Sequence, residues 1–174
     1  MHIRYAKVED IETIQTIAKN TWPVAYAGIL TNAQLAYMLE LIYSTAALTH
    51  QLNDTAQRFI LGIENDTAVG FASFSPVQNT STFHINKLYV LPTHQGKNVG
   101  QQLLLFVEDA IRSEGAAIIT LNVNRNNSAI YFYEKMGYYI DCEEDINIGN
   151  GFFMNDYVMK KSISTTTKSI DAFV

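Results

Sequence analysis

The apolar positions of this chain alternate between short β-like runs and longer segments with a helical repeat. Ile3 to Ala6 makes a first strand. Val8, Ile11, Ile14, Ile17 and Ala18 then return every three or four residues and predict a helix over 8–20. Trp22-Pro23 interrupts it, because proline has no amide to donate. Leu35, Met38, Leu39 and Ile42 repeat the pattern over 32–43, with Thr31 or Asn32 as the cap, and a weaker helical stretch covers 45–54. Arg58 to Glu64 and Ala68 to Pro76 are β-like and joined by the turn composition Asn65-Asp66-Thr67. Thr82 to Leu91 is the next strand. Leu103, Val107 and Ile111 mark one face of a helix over 100–113 that Gly115 ends. A strand over 117–124, a helix over 128–136 and an antiparallel pair over 138–148 and 152–160, turning at Gly149-Asn150-Gly151, complete the pattern. The order predicts an α/β layout in one domain over 1–161, followed over 162–174 by a Ser/Thr-rich tail that frays.

At 174 residues, with 48% hydrophobic content and ten Tyr, the chain can bury a sizeable core. Its longest apolar run is only Leu103 to Val107, too short to cross a membrane. Residues 1–10 mix charge and polarity and lack an apolar signal core, so the expected location is the cytoplasm. The single cysteine, Cys142, precedes Glu143, Glu144 and Asp145, which would raise a thiol pKa, so it reads as structural rather than nucleophilic. A net charge of −5 disfavours nucleic acid and suits a cationic ligand.

Chemistry concentrates where the strand Leu88-Tyr89-Val90-Leu91 meets Pro92 and passes through Gln95-Gly96-Lys97-Asn98-Val99-Gly100 into a helix. A strand–loop–helix junction of this kind points unpaired backbone N–H groups, at the positive end of a helix dipole, toward one spot suited to a phosphate. His94 and Lys97 flank the loop. About thirty residues later comes Asn126-Asn127-Ser128-Ala129-Ile130-Tyr131-Phe132-Tyr133-Glu134-Lys135-Met136-Gly137-Tyr138, a capped helix closed by glycine.

The pair of motifs resembles the signature of the GNAT superfamily of acetyl-CoA-dependent N-acetyltransferases. That signature reads Gln/Arg-x-x-Gly-x-Gly/Ala and Asn-x-x-Ala-x-x-Phe-Tyr-x-x-x-Gly-Phe; Gln95, Gly100, Asn126, Ala129, Phe132, Tyr133 and Gly137 fall on it. Asn98 replaces the central glycine, and asparagine tolerates the positive φ that position needs. Tyr138 replaces the final Phe. The order of elements also resembles that family over about 1–160, and its pairing with the PaiA-like spermidine/spermine branch rests on the segments Trp22 to Leu30 and Gly149 to Met159. The resemblance implies a mixed, mostly antiparallel sheet splayed between its fourth and fifth strands, with helices on both faces. It implies that acetyl-CoA is the cosubstrate, held by Leu88, Tyr89, Val90, the loop Gln95, Gly96, Lys97, Asn98, Val99 and Gly100, and by Asn126 and Tyr133.

Moving an acetyl group from a thioester to an amine requires loss of an amine proton, a donor for the oxyanion and a proton for the departing thiolate. No metal is required, and the sequence shows no ligand cluster with metal spacing. The resemblance places Tyr133 at the cofactor sulfur as general acid; packing alone would also explain it, as it does Tyr131 and Tyr138. His84 stands where many relatives carry a glutamate base, and its ordinary pKa near 6.5 suits that task. Asn126 is expected to cap its helix or contact the cofactor. Trp22 and Tyr26 suit cation–π contact and Asp156 suits an ammonium, so the acceptor is expected to be a small cationic amine such as a polyamine. A peptide N-terminus or a lysine is the alternative acceptor, and a catalytically silent CoA-binding regulatory module the alternative role. The resemblance leaves a homodimer open.

Overall fold

The computed structural model describes residues 1–163. Seven strands, β1 (His2–Tyr5), β2 (Arg58–Glu64), β3 (Thr67–Pro76), β4 (Thr82–Val90), β5 (Ile118–Asn124), β6 (Tyr139–Gly149) and β7 (Phe152–Ser162), form one sheet in the order β1-β2-β3-β4-β5-β7-β6. Every neighbouring pair is antiparallel except β4–β5, which is parallel. The helices are α1 (Ile11–Ala25), α2 (Asn32–Tyr43), α3 (Thr45–Asn53), α4 (Val99–Arg112) and α5 (Ala129–Lys135).

Strand alternation divides the buried side chains between two cores. Phe59, Leu61 and Phe71 point to one face and pack with Ile14, Ile17, Trp22, Met38 and Leu48 of α1, α2 and α3. Ile60, Ala72, Phe74 and Ile85 point to the other and pack with Leu103, Leu104, Val107 and Ile111 of α4 and Tyr133 of α5. Helices therefore cover both faces, and the sheet between them is buried through its centre. Thr31 caps α2, its hydroxyl accepting from the Gln34 amide at 3.1 Å.

β4 and β5 pair only from Thr82↔Ile118 to Ile85↔Leu121 and then separate, the splay expected between the fourth and fifth strands. A bulge lies beside the last shared rung: Ser73 faces Lys87 but Phe74 faces Ile85, so Asn86 is an extra residue in β4. The bulge reverses the alternation of the strand. Lys87 and Tyr89 consequently share the α1–α3 face with His84, while Leu88 and Val90 join Ile85 on the α4 face.

Three boundaries differ from the sequence expectation. α1 runs through Trp22-Pro23 to Ala25 instead of breaking there. Proline removes one donor only, and the buried Trp22 ring, 2% exposed, anchors that turn in the core. Val8–Asp10 is a separate 3-10 turn in which the Lys7 amide donates to Asp10 Oδ2 at 2.8 Å. At the far end, Ser162 pairs with Ile118, and Ile163 is buried with its amide on the Ala117 carbonyl at 2.9 Å. The ordered domain thus passes the expected limit at 161, and the remainder of the expected tail lies outside the described residues. Tyr138 packs as expected but Tyr131 points to solvent, and Cys142 lies exposed on the edge strand β6.

One buried ion pair ties the α4 face together. The Glu108 carboxylate, 2% exposed, accepts from Lys161 Nζ at 2.8 Å on both oxygens and from the Tyr138 hydroxyl at 3.1 Å. Glu108→Ala would leave the Tyr138 hydroxyl and the Lys161 ammonium without their acceptor. The expected loss of stability is about 3 kcal/mol, low in the range for such a deletion because Lys161 can swing toward water. Urea unfolding measures it, and a change under about 0.5 kcal/mol would contradict the role given to this pair.

Candidate active site

The junction after β4 has the geometry of an anion cradle. Gly96 and Asn98 adopt positive φ, 73° and 63°, and Asn98 immediately precedes the first turn of α4. Asparagine therefore takes the left-handed conformation that the sequence expectation required of it. Gly100 lies within the first turn of α4 and faces Phe132, Val90 and Leu88, where an added Cβ would meet ordinary contacts at 3.7, 3.7 and 3.9 Å. Gln95 folds back so that its amide donates to the Val90 carbonyl at 3.1 Å. Lys97 is exposed and does not line the cavity beside the loop, whereas His94 does, 4.0 Å from Glu64.

A cavity of about 710 Å³ opens where β4 and β5 part. Leu88, Tyr89, Val90, Gln95, Gly96, Asn98, Val99 and Gly100 line one end, with Leu121, Asn122 and Val123 of β5 and Ala129, Phe132 and Tyr133 of α5 opposite. The Leu91 amide donates to Val69 of β3 at 2.9 Å. By the two-residue period of a strand, Leu88 and Val90 then present their backbone groups to the gap. An extended amide-bearing ligand would pair there as a strand pairs with a sheet edge. Asn126 is exposed and outside this lining; its neighbours Asn127 and Ser128 border the cavity. The cap expected of Asn126 comes from Asn127, whose Oδ1 accepts from the Ala129 amide at 2.9 Å.

Tyr133 projects from α5 into the cavity wall, 8% exposed, its ring 5.1 Å from Phe132 and 5.8 Å from Tyr138. Burial, and after it the neighbouring Tyr26, raise its pKa, so the hydroxyl carries its proton throughout the neutral range. The Tyr26 hydroxyl lies 3.3 Å from that of Tyr89, and burial raises both pKa values. Trp22 stacks beneath this group, 4.9 Å from Tyr26 and 5.8 Å from Tyr89. It is walled into the core and does not reach the cavity, so of the two expected aromatic contacts only Tyr26 is available to a ligand.

On the α1–α3 face the cleft becomes polar. His84 Nδ1 bonds Thr120 Oγ1 at 2.9 Å, and burial, then Lys87, hold its pKa below the ordinary value against the pull of Glu144. The cavity lining starts one residue beyond it, at Ile85. Lys87, which sequence reasoning missed, lines the cavity; its ammonium donates to Gln51 Oε1 at 2.6 Å and lies 5.3 Å from the Phe59 ring. Burial lowers its pKa to about 8. Asp156 of β7, 5% exposed, sits between Asn124 of β5 and Glu144 of β6. It lies outside the cavity lining, its Oδ1 has no hydrogen-bond partner among the described residues, and burial, then Glu144, push its carboxyl up to about 6 against the opposing pull of Arg125.

Comparison with known proteins places the chain in a family. The model of the acetyltransferase (GNAT) family matches residues 14–138. The chain belongs to the GNAT family. It is an N-acetyltransferase, similar at 25% identity over 166 residues to the spermidine N(1)-acetyltransferase of Thermoplasma acidophilum, covering 92% of this chain and 96% of that one. The crystal structure of the PaiA N-acetyltransferase of that organism, in complex with coenzyme A, superposes with a TM-score of 0.81 at 26% identity, covering 93% of this chain and 98% of the other. The L-amino acid N-acyltransferase MnaT of Escherichia coli is 24% identical over 147 residues, 82% of each chain.

The GNAT cosubstrate fits what the chain offers. The left-handed Gly96 and Asn98 and the start of α4 suit a pyrophosphate, and the open edge of β4 suits the pantetheine amides. Gly100→Ala should leave coenzyme A binding intact, since its Cβ meets only ordinary contacts. Gly100→Val adds two methyl groups against Phe132 and Val90 and should weaken binding about tenfold or more, equivalent to about 1.4 kcal/mol of strain. Calorimetry with coenzyme A checks both, and equal affinity in all three proteins would remove Gly100 from the binding surface.

Proposed function

We propose that this enzyme transfers the acetyl group of acetyl-CoA directly to a primary amine of a small cationic acceptor, a polyamine being the first choice. The observation that supports it most is the buried Asp156 carboxylate, whose Oδ1 has no hydrogen-bond partner among the described residues and which stands opposite Glu144 on β6, outside the cavity lining itself. A buried carboxylate without a partner is costly, and a cation supplied by the ligand would offset that cost. The spermidine acetyltransferase among its relatives and the acidic net charge agree with this reading.

When bound, acetyl-CoA supplies the activated thioester. In the reading proposed here, the Leu88 and Val90 backbone orients the pantetheine arm, the loop from Gln95 to Gly100 holds the phosphates, and Tyr133 donates a proton to the departing sulfur. Its raised pKa keeps that proton available near neutrality. Asn126 has no part in this scheme, and His84 faces Thr120.

Lys87 supports a second reading. A cation on the cavity wall would repel a polyamine and attract a carboxylate, which suits an amino acid acceptor like that named for the Escherichia coli relative. A coenzyme A release screen over polyamines, amino acids and peptides separates the two. Polyamine turnover whose apparent KM rises with salt supports the first, through screening of the attraction. Amino acid turnover lost in Lys87→Met supports the second, and turnover of peptide N-termini alone would overturn both.

Tyr133→Phe should lower kcat about ten- to a thousand-fold while leaving coenzyme A affinity unchanged, because only the hydroxyl is lost. A variant turning over at the wild-type rate, with chemistry rate-limiting, would reduce Tyr133 to a packing residue.

A further inference from the structure

Asn122 stands at the fork where β4 and β5 part, the first residue of β5 beyond the last shared rung, Ile85↔Leu121. On its other side it is paired with Val158 of β7. β5 turns three polar side chains to the α1–α3 face, because Thr120, Asn122 and Asn124 alternate with Leu121 and Val123 of the other core. Thr120 is taken by His84 at 2.9 Å, and Asn124 Oδ1 accepts the Asn126 amide at 3.0 Å. Neither borders the cavity. Asn122 does.

Glu144 decides which end of Asn122 faces the cavity. Asn122 Nδ2 reaches across β7 and donates to Glu144 Oε2 at 3.0 Å. A carboxylate only accepts, so the amide nitrogen must meet it, and the carbonyl oxygen is left at the other end of the amide. That oxygen has no partner among the described residues and is not sealed from solvent. Hydrogen bonds in series polarise one another, so the Glu144 charge makes Asn122 Oδ1 a better acceptor. Other polar groups on this stretch of wall are already engaged. Asn86 Nδ2 donates to Ser75 Oγ at 3.0 Å, the Tyr26 hydroxyl lies 3.3 Å from that of Tyr89, and Lys87 donates to Gln51. A free amide N–H would suit an oxyanion, whereas an open carbonyl oxygen suits an N–H donor.

The fork is also where the two substrates have to meet. The loop from Gln95 to Gly100 follows the carboxyl end of β4. A ligand with its phosphates there and its amides on Val90 and Leu88 therefore runs back along β4 toward Ile85, and its far end arrives beside Asn122. We propose that Asn122 Oδ1 holds the reacting nitrogen of the acceptor by one N–H, and that Glu144 is the positioning residue that keeps this oxygen turned to the cavity. The inference rests on the acetyl-transfer reading and applies to any primary amine, whatever charge the rest of the acceptor carries. A neutral primary amine has two N–H groups and one lone pair. With one N–H held by Asn122 the direction of the lone pair is restricted, which is a gain in orientation. Asn122 takes no proton, so its part is to hold and aim the amine.

The experiment uses spermidine, or an L-amino acid where the wild type prefers one, and reads binding as well as turnover. Asn122→Ala should lower kcat/KM about ten- to a hundredfold, the loss expected for one hydrogen bond to a charged or reacting group. Its pH profile should keep the wild-type shape, since no titrating group is removed. Calorimetry should show coenzyme A affinity within about twofold of wild type, and amine binding to the coenzyme A-loaded protein weakened about tenfold or more. Glu144→Ala changes only an exposed side chain and should lower kcat/KM in the same direction. Glu144→Gln should recover most of that loss, because its amide oxygen still accepts from Asn122. The double variant Asn122→Ala/Glu144→Ala should be no worse than Asn122→Ala alone, as it must be if Glu144 acts through Asn122. Wild-type kcat/KM and amine binding in Asn122→Ala overturn the proposal, and losses that add in the double variant overturn the part given to Glu144. A wild type that acetylates no amine overturns the acetyl-transfer reading instead, and the calorimetric loss of amine binding in Asn122→Ala separates that failure from a failure of this assignment.

Discussion

The parting of β4 from β5 after Ile85 and Leu121 is the constraint on which this molecule depends. A sheet whose central strands separate leaves backbone N–H and C=O groups facing a gap, and such groups cannot remain buried and dry. Water or a ligand must complete them. An elongated molecule with spaced amide groups is a suitable occupant, and the loop into α4 provides for an anion at its end. The fold thus makes its binding site by withholding hydrogen bonds from its own centre.

The bulge at Asn86 acts with the splay. One extra residue reverses the inward and outward sense of everything after it, which turns Lys87 and Tyr89 to the α1–α3 face and Leu88 and Val90 to the α4 face. The two sides of the cleft acquire their different chemistries at this one residue. The α4 side is walled by Val90, Val99 and Phe132. The α1–α3 side carries Tyr26 and Lys87. Stability is gathered elsewhere, in two apolar cores and in the Glu108–Lys161 pair. The buried Asp156 carboxylate, one of whose oxygens has no partner among the described residues, runs against stability.

Much of the fold was legible in the sequence because each element carries its own local signal. Helical spacing located α2 and α4, the turn residues located the β2–β3 and β6–β7 hairpins, and glycine and asparagine marked the points of positive φ. The two motifs around Gly100 and Tyr133 carry the family resemblance by residue type and spacing alone. The boundary errors arose where tertiary packing outweighed a local rule. Pro23 ends a helix in isolation, but here the buried Trp22 turn continues past it. Ser162 and Ile163 looked like tail, yet pair with Ile118 and fill a core position.

The candidate site was legible only in its cosubstrate half. Sequence by itself determined the loop, the left-handed Asn98 and the tyrosine on α5, since each depends on residue type at fixed local spacing. Which face of β4 holds Lys87 depends on a bulge that has no local signature, and so only the tertiary structure decided it. The same is true of Trp22, an aromatic that could have faced a ligand and is instead sealed beneath Tyr26. It is true of Asn126 and Asn127, whose roles depend on which of two adjacent side chains meets the amide at the start of α5. Asp156 was visible in the sequence as a carboxylate. That one of its oxygens is buried, with no partner among the described residues, follows from strands β5, β6 and β7 coming side by side, and no stretch of sequence records such a meeting.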